Sequence, residues 1–447
     1  MNLTDTFIET LYTLKSQPLP QNVQEETRKC LLDQVGVMIA GAALLKEQLG
    51  NYLDMFSGDE ATAIGLGRKA SLQNAALVNG ISGHAMDYDD GHRFCNVHLG
   101  SAVIPAVLAV AEKENKSMDD VLRGIVIGYE AAIRLGSCIQ PAHRGRGFHA
   151  SGTVGTIGAA MGVAALLDFD REQMKSALSA ACTSAGGILE MQENVSTLKP
   201  FNIGRATHDG ITAALIVRAG FRGPQDVLEG KFGFLRAVCE TYKPEVLSLE
   251  NDSNYNICGS YHKPYASCRH THGAAYAALK AVGDNNLNWR DIDSITVDMY
   301  GQGVNGHDHT DIPSAVAGKM SVPFCIALVL VTGNIGMNSF KDEILFDPDI
   351  VALTKKITVR ADEELSSWVP KKRAARLTVY MKNGESSTAQ VDFPLGEPEL
   401  PMPTEYFESK VTELCEYAGR TAQNAREIID KVLTFGGNAA ELVKLLA

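Results

Sequence analysis

Residues 157–166 read IGAAMGVAAL, a stretch that carries Gly and Ala on the apolar face of a helical pattern. Glycine lowers helix propensity, yet small side chains let two helices approach closely. The segment therefore reads as a helix packed among other helices. Working outward, the same texture recurs. From Asn22 to Leu45 the positions Val23, Thr27, Cys30, Leu31, Val35 and Met38 recur at three- and four-residue steps. The pattern predicts further helices over 72–86, 102–112, 118–136, 153–167, 171–183 and 208–219. After Cys268 the texture changes. A predicted helix over 273–282 precedes the alternating IDSITVDMY (292–300), and another helix is predicted over 313–331. Strand patterns follow at 357–360 and in AARLTVYM and STAQVDF, which flank Lys382-Asn383-Gly384-Glu385. Asn-Gly between alternating segments is a strong hairpin signal.

The fold class predicted is mainly α: a large all-helical domain, residues 1–267 and 400–447, with a smaller inserted α+β lid domain, residues 268–399, built on an antiparallel sheet. PLGEPELPMP (394–403) is the return linker, and helices over 404–418 and 424–433 pack back on the helical domain.

Composition bounds the function. The 447 residues are 45% hydrophobic and 21% charged, an ordinary globular balance. Lys and Arg number 41 against 53 Asp and Glu, a net charge of −12 that argues against a nucleic-acid partner. No signal-peptide pattern opens the chain, and the best apolar run, Cys325–Val331, is too short for a membrane span. Nine scattered cysteines with no C-x-x-C pair fit reduced thiols, so a cytoplasmic protein is expected.

Four polar clusters carry the chemistry. In HAMDYDDGHRFCNVHLGS (84–101), Asp87, Asp89, Asp90, His92, Arg93 and His98 fall within twelve positions. Three readings compete: an acidic loop capping the next helix, a metal site, and a carboxylate orienting a proton-carrying histidine. An EF-hand Gly and Glu are lacking and no H-E-x-x-H follows, so the proton-transfer reading is preferred. AHRGRGFHASGTVGT (142–156) loosely imitates a dinucleotide fingerprint, but a helical segment precedes it where a strand is required. What remains is a basic helix start in which Arg144, Arg146 and His149 suit a carboxylate, against the alternative of a glycine-rich turn with solvated arginines. STLKPFNIGRATHDG (196–210) places Lys199 before a proline, in a loop, followed by Arg205 and His208. YHKPYASCRHTHGA (261–274) holds Lys263, Arg269, His270 and His272. His270-x-His272 and His307-x-His309 are weak as metal pairs without a Glu or Cys partner set. Neither a G-x-S-x-G elbow nor a Walker A sequence occurs, and no cofactor or metal is expected.

Taken together, HAMDYDD…HLGSAVIPA, RGFHASGTVGTIGAA, LKPFNIGRATHDG and KPYASCRHTH resemble the MmgE/PrpD family. The four motifs span most of residues 79–274 in family order. The resemblance implies a homodimer and cofactor-free chemistry on a small polycarboxylate. Asp87 and His98 match the first Asp and closing His of the family's acidic loop, with one extra residue between them. His149 matches its G-F-H motif, and Lys199 and Lys263 match its two K-P motifs. These five are the implied catalytic residues; Arg93, Arg144, Arg146, Arg205, Arg269 and His272 are the candidate carboxylate binders. In the family's decarboxylase a tyrosine from the lid helix enters the site, where this chain has Phe324. Length and motif wording point to an isomerase, an epimerase of iminodisuccinate working by proton removal and return beside a carboxylate. The alternative is a dehydratase or decarboxylase of a tricarboxylate.

Overall fold

The computed structural model describes residues 2–192, 196–249, 254–284, 286–434 and 436–447. The chain divides into two compact units, Met1–Tyr261 with Pro403–Ala447, and His262–Met402. The first is helical. It begins with α1 (Leu3–Ser16), α2 (Gln21–Leu44) and α3 (Lys46–Leu53), and a short hairpin pairs β1 (Ala61–Ala63) with β2 (Arg68–Ala70). Then come α4 (Leu72–His84), α5 (Leu99–Lys113), α6 (Met118–Ile139), α7 (Ala142–Gly145), α8 (Ala150–Leu166), α9 (Arg171–Ser184) and α10 (Lys199–Arg218).

The IGAAMGVAAL segment lies in α8, every residue of which is buried. Its small residues let backbone meet backbone. A Cβ on Gly158 would lie 2.9 Å from the Gly128 carbonyl oxygen of α6, and one on Gly162 would lie 2.8 Å from that of Gly124. Glycines spaced by four on both helices thus form a single seam. A second close approach joins α4 to α10, where a Cβ on Gly80 would lie 2.9 Å from the Gly204 Cα. Helix α6 starts at a capping box: the Ser117 hydroxyl accepts from the Asp120 N–H while the Asp120 carboxylate accepts from the Ser117 N–H.

One boundary corrects the sequence reading. The helix predicted from residue 208 begins at Lys199, so that lysine opens a helix instead of sitting in a loop. Proline follows it without cost, because N–H groups in a first helical turn have no intrahelical partner.

The second unit contains α11 (Arg269–Gly283), β3 (Ile292–Met299), α12 (Ala315–Met320), α13 (Val322–Thr332), β4 (Ile357–Ala361), β5 (Ala375–Met381) and β6 (Ser386–Val391). The strand order is β4-β3-β5-β6. The hairpin signal corresponds to the β5–β6 pair, with Gly384 at φ 88° in its turn. The sheet is mixed, not antiparallel throughout, since β3 and β4 run parallel across a helical crossover. The helix predicted over 313–331 is two helices. Ser321 separates them and caps the second by accepting the Phe324 N–H at 3.1 Å.

The chain returns to the first unit through α14 (Thr404–Tyr417), α15 (Ala422–Thr434) and α16 (Ala439–Leu446). Lys410 of α14 docks on α2: its Nζ lies 2.6 Å from Asp33 Oδ1 and donates to the Tyr88 carbonyl at 2.9 Å. No helix among the described residues is long and apolar enough to cross a membrane.

Replacing Gly158 by Ala should destabilise the protein by about 1–3 kcal/mol, because the new methyl meets the Gly128 carbonyl and Ala132. Gly50→Ala in α3, where a Cβ meets open space, should stabilise by roughly 0.5–1 kcal/mol. Urea denaturation of both variants checks the contrast, and equal behaviour would deny the close seam.

Candidate active site

Three helix starts in the first unit carry the histidine and lysine motifs. His98 is the N-cap of α5, His149 is the N-cap of α8, and Lys199 is the first residue of α10. Neither histidine side chain caps its own helix, so both imidazoles are available for other partners. The starts of α5 and α8 are tied together by the His98 N–H, which donates to Ser151 Oγ at 3.0 Å; the His149 N–H donates to the Gly187 carbonyl, in the segment after α9, at 3.0 Å. Helix N-termini favour negative charge, as suits a carboxylate ligand.

The acidic loop between α4 and α5 divides its carboxylates by task. Asp90 is structural: Oδ1 accepts the Gly100 N–H at 2.8 Å, and Oδ2 accepts the Tyr129 hydroxyl at 2.7 Å. Burial, with Asp90 beside it, pushes the Tyr129 hydroxyl well above its usual range, so it stays a donor. Asp89 is fully buried at the centre of a network. It accepts from Ser101 Oγ at 2.7 Å and lies 2.9 Å from His84 Nδ1 and 3.4 Å from His98 Nδ1. Burial pushes the Asp89 carboxyl up, but His84 and His98 together hold it well below the usual range. Asp87 takes a left-handed backbone, φ 54°, and its Oδ1 stands 3.3 Å from Lys199 Nζ.

His84 is the residue that sequence reasoning left without a role. It ends α4, five positions before Asp89, and its ring centroid lies 4.5 Å from that of His98. Burial lowers its pKa to about 4, against the partial compensation of Asp89. A neutral His84 that donates Nδ1–H to Asp89 keeps Nε2 as an acceptor, and that buried Nε2 has no protein partner. The same holds for the buried Nδ1 of His149, whose pKa burial, reinforced by Lys199 and the neighbouring histidines, holds well below the ordinary value. Two neutral imidazoles, an ammonium–carboxylate pair and clustered helix starts can bind an anion and move a proton. The sequence signal for His84 was the single Asp89 five residues on; only the end of α4 aims the ring at it.

The remaining candidates divide clearly. Lys263 is fully buried in the second unit. Arg144 and Arg146 are exposed beside α7, and Arg93 lies over the Phe94 ring. The Arg205 guanidinium donates to Asp209, the Ser184 carbonyl and the Gly186 carbonyl, fastening the segment after α9. Arg269 pairs with Glu397 at 2.8 Å and donates to His272 Nδ1 at 3.0 Å, while His272 Nε2 reaches the Ser267 carbonyl at 3.1 Å. These two form an internal brace of the second unit. Phe324 is fully buried there, its ring centroid 6.2 Å from that of Phe340.

Potential metal-ligand atoms lie within 4.8 Å of one another at His84, Asp87, Asp89 and His98 in the first unit, and at Cys268, His270 and His307 in the second. The second supplies the cysteine that the histidine pairs lacked in sequence. Each histidine pair is split, since His272 braces Arg269 and His309 Nε2 reaches the Ala317 carbonyl. In both groups the donors bond one another. Asp89 is engaged by His84 and Ser101, and Cys268 Sγ lies 3.5 Å from His307 Nε2, whose Nδ1 reaches the Asn305 carbonyl.

Comparison with known proteins now adds to this geometry. Residues 6–247 match the MmgE/PrpD N-terminal domain and residues 265–434 the MmgE/PrpD C-terminal domain. The chain belongs to the MmgE/PrpD family. Cis-aconitate decarboxylase of Aspergillus terreus is 27% identical over 449 residues, covering 94% of this chain and 90% of that protein. Cis-aconitate decarboxylase-like protein oryM of Aspergillus oryzae is 26% identical over 88% of this chain and 87% of its own length. Human cis-aconitate decarboxylase is 28% identical over 55% of this chain and 52% of its own length. A decarboxylase is a lyase, so these relatives overturn the isomerase assignment drawn from motif wording and length.

The buried neutral histidines make stability depend on pH. His84 and His143 each fall from an ordinary 6.5 to about 4, with burial the main cause. Unfolded, both take up a proton near pH 6.5; folded, neither does until about pH 4. Their contribution is complete above pH 6.5 and is lost as pH falls through that window, on the order of 3 kcal/mol each. Melting temperature should therefore decline from pH 7 to 4.5, and His143→Gln should flatten the decline. A pH-independent melting temperature would contradict neutral burial.

Proposed function

We propose that the chain is a lyase that decarboxylates an unsaturated tricarboxylate of the cis-aconitate type without metal or organic cofactor. What supports this reading is one observation above all. The similarity to proteins named for that reaction, over 94% of this chain, falls on a chain whose His98, His149 and Lys199 stand at three helix starts of the unit that holds the Asp89–His84 pair.

Chemically, a C–C bond to one carboxylate breaks heterolytically and carbon dioxide leaves. The electron pair spreads over the allylic system beside a second carboxylate, and a carbon of that system takes up one proton. The product is a dicarboxylate. Two demands follow: neutralise the carboxylate that stabilises the carbanion, and deliver the proton. The helix starts and the Lys199 ammonium meet the first. For the second, Phe324 offers no hydroxyl, so the proton passes from Lys199 or from an imidazole. Asp87, beside Lys199, holds that ammonium in place. Asp89 fixes the ring of His84, and the Asp90 carbonyl, 3.0 Å from His98 Nδ1, holds that of His98. Lys263, matched to the second K-P motif, is the other lysine to test. The homodimer implied by family resemblance belongs to the same proposal; sedimentation at micromolar concentration tests it, and a monomer would remove it.

Lys199→Ala should reduce carbon dioxide release from cis-aconitate by ~10²–10⁴-fold with melting temperature little changed. Lys199→Arg separates the roles of charge and proton: partial recovery marks a carboxylate clamp, and none marks a proton donor. Lys263→Ala is read in the same assay. Wild-type rates in both alanine variants would discard the mechanism.

Activity should survive exhaustive dialysis against a chelator, because the Asp89 oxygens already bond His84 and Ser101. Loss restored by a divalent ion would instead make His84, Asp87, Asp89 and His98 ligands.

A further inference from the structure

Asn202 lies one turn beyond Lys199 on α10, at the three-residue spacing that puts both side chains on one face. It is nine-tenths buried, and its Nδ2 has no hydrogen-bond partner among the described residues. Its carboxamide stands against Gly187: a Cβ on that glycine would lie 3.4 Å from Asn202 Cγ. The Gly187 carbonyl is the acceptor of the His149 N–H at 3.0 Å. The orphan amide is thus seated between Lys199 along its own helix and the start of α8 across from it.

Burying an amide donor without a partner is unfavourable, and native proteins rarely tolerate that without a use. The surroundings say which use. His149 Nδ1 and His84 Nε2 are buried and without protein partners near the same helix starts, and Lys199 brings an ammonium. Everything else about the segment is satisfied: Arg205, three residues further along α10, donates to the Ser184 and Gly186 carbonyls and holds Gly186 and Gly187 against the amide. A carboxylate oxygen would complete the Asn202 donor with a charge-assisted bond.

We propose that Asn202 is a substrate-binding residue, its Nδ2–H donating to a carboxylate of the bound polycarboxylate that also meets Lys199. This deepens the proposed function and rests on it for the substrate class, but the binding claim can be measured without turnover. Asparagine suits the place because it donates without adding a second cation beside Lys199. An aspartate of the same shape would repel the ligand.

The test uses the full chain and tricarballylate, a saturated tricarboxylate that lacks the double bond needed for allylic decarboxylation. Calorimetric affinity should fall roughly ten- to hundred-fold in Asn202→Ala, the worth of one hydrogen bond to a charged group, and further in Asn202→Asp. The melting temperature without ligand should hold within about 2 °C, since no protein hydrogen bond is lost. With cis-aconitate, Asn202→Ala should raise KM more than it lowers kcat. Unchanged tricarballylate affinity in both variants, with wild type turning over cis-aconitate, would overturn the role of Asn202 and leave the function standing. Tricarballylate binding that depends on Asn202 in a wild type inert towards cis-aconitate would overturn the decarboxylase reading and keep the subsite. A loss of melting temperature in Asn202→Ala that Asn202→Asp restores, at unchanged affinity, marks a structural amide and rejects the proposal. A wild type that neither binds tricarballylate nor turns over cis-aconitate rejects both.

Discussion

The seam of glycines between α6 and α8 is the constraint on which the rest of the helical unit depends. Gly124 and Gly128 face Gly162 and Gly158, and each would-be methyl would enter the other helix's backbone. Packing of that kind has little slack, because carbonyl oxygens cannot rotate aside as side chains do. It sets the height of α8 against its neighbours, and the N-terminus of α8 is where His149 stands. A displacement of one helix along the other would move that imidazole relative to Lys199 and His98.

Placing chemistry at helix starts has a physical logic. The first N–H groups of a helix have no intrahelical partner and need external acceptors. In this unit several are met from within. Asp90 accepts the Gly100 N–H at the start of α5, and Ser151 of α8 accepts the His98 N–H. The N-cap positions themselves are held by His98 and His149, neither of which caps its helix as Ser or Asp would. Local helix stability is forgone at both positions, a pattern expected where local rules yield to a function such as the one proposed. Burial then keeps His84 and His149 neutral, while Asp89 stays ionised among donors.

Not every cation in a motif faces a ligand. Arg269 and His272 belong to a motif as rich in charge as the others, yet they are consumed by Glu397, the Leu395 carbonyl and the Ser267 carbonyl. A guanidinium with a buried carboxylate partner is costly to unpair, so it is held as a brace. Arg205 does similar work for the segment carrying Gly186 and Gly187. Composition alone does not separate a brace from a binder; the partners do.

By itself the sequence determined the helical class, the strands of the second unit and the four polar motifs. These depend on periodicity and turn chemistry, which act over a few residues. It also placed Asp87, His98, His149 and Lys199 within those polar motifs. Tertiary structure decided the rest. The parallel β3–β4 pair depends on a crossover of more than fifty residues, between Met299 and Ile357, which no local pattern encodes. The start of α10 was hidden because Lys-Pro reads locally as loop, although a helix's first turn accepts proline. The roles proposed for His84 and Asn202 were invisible in the sequence for a common reason. What marks them is a buried polar atom left without a partner, and a partner's absence exists only once distant helices have packed around it.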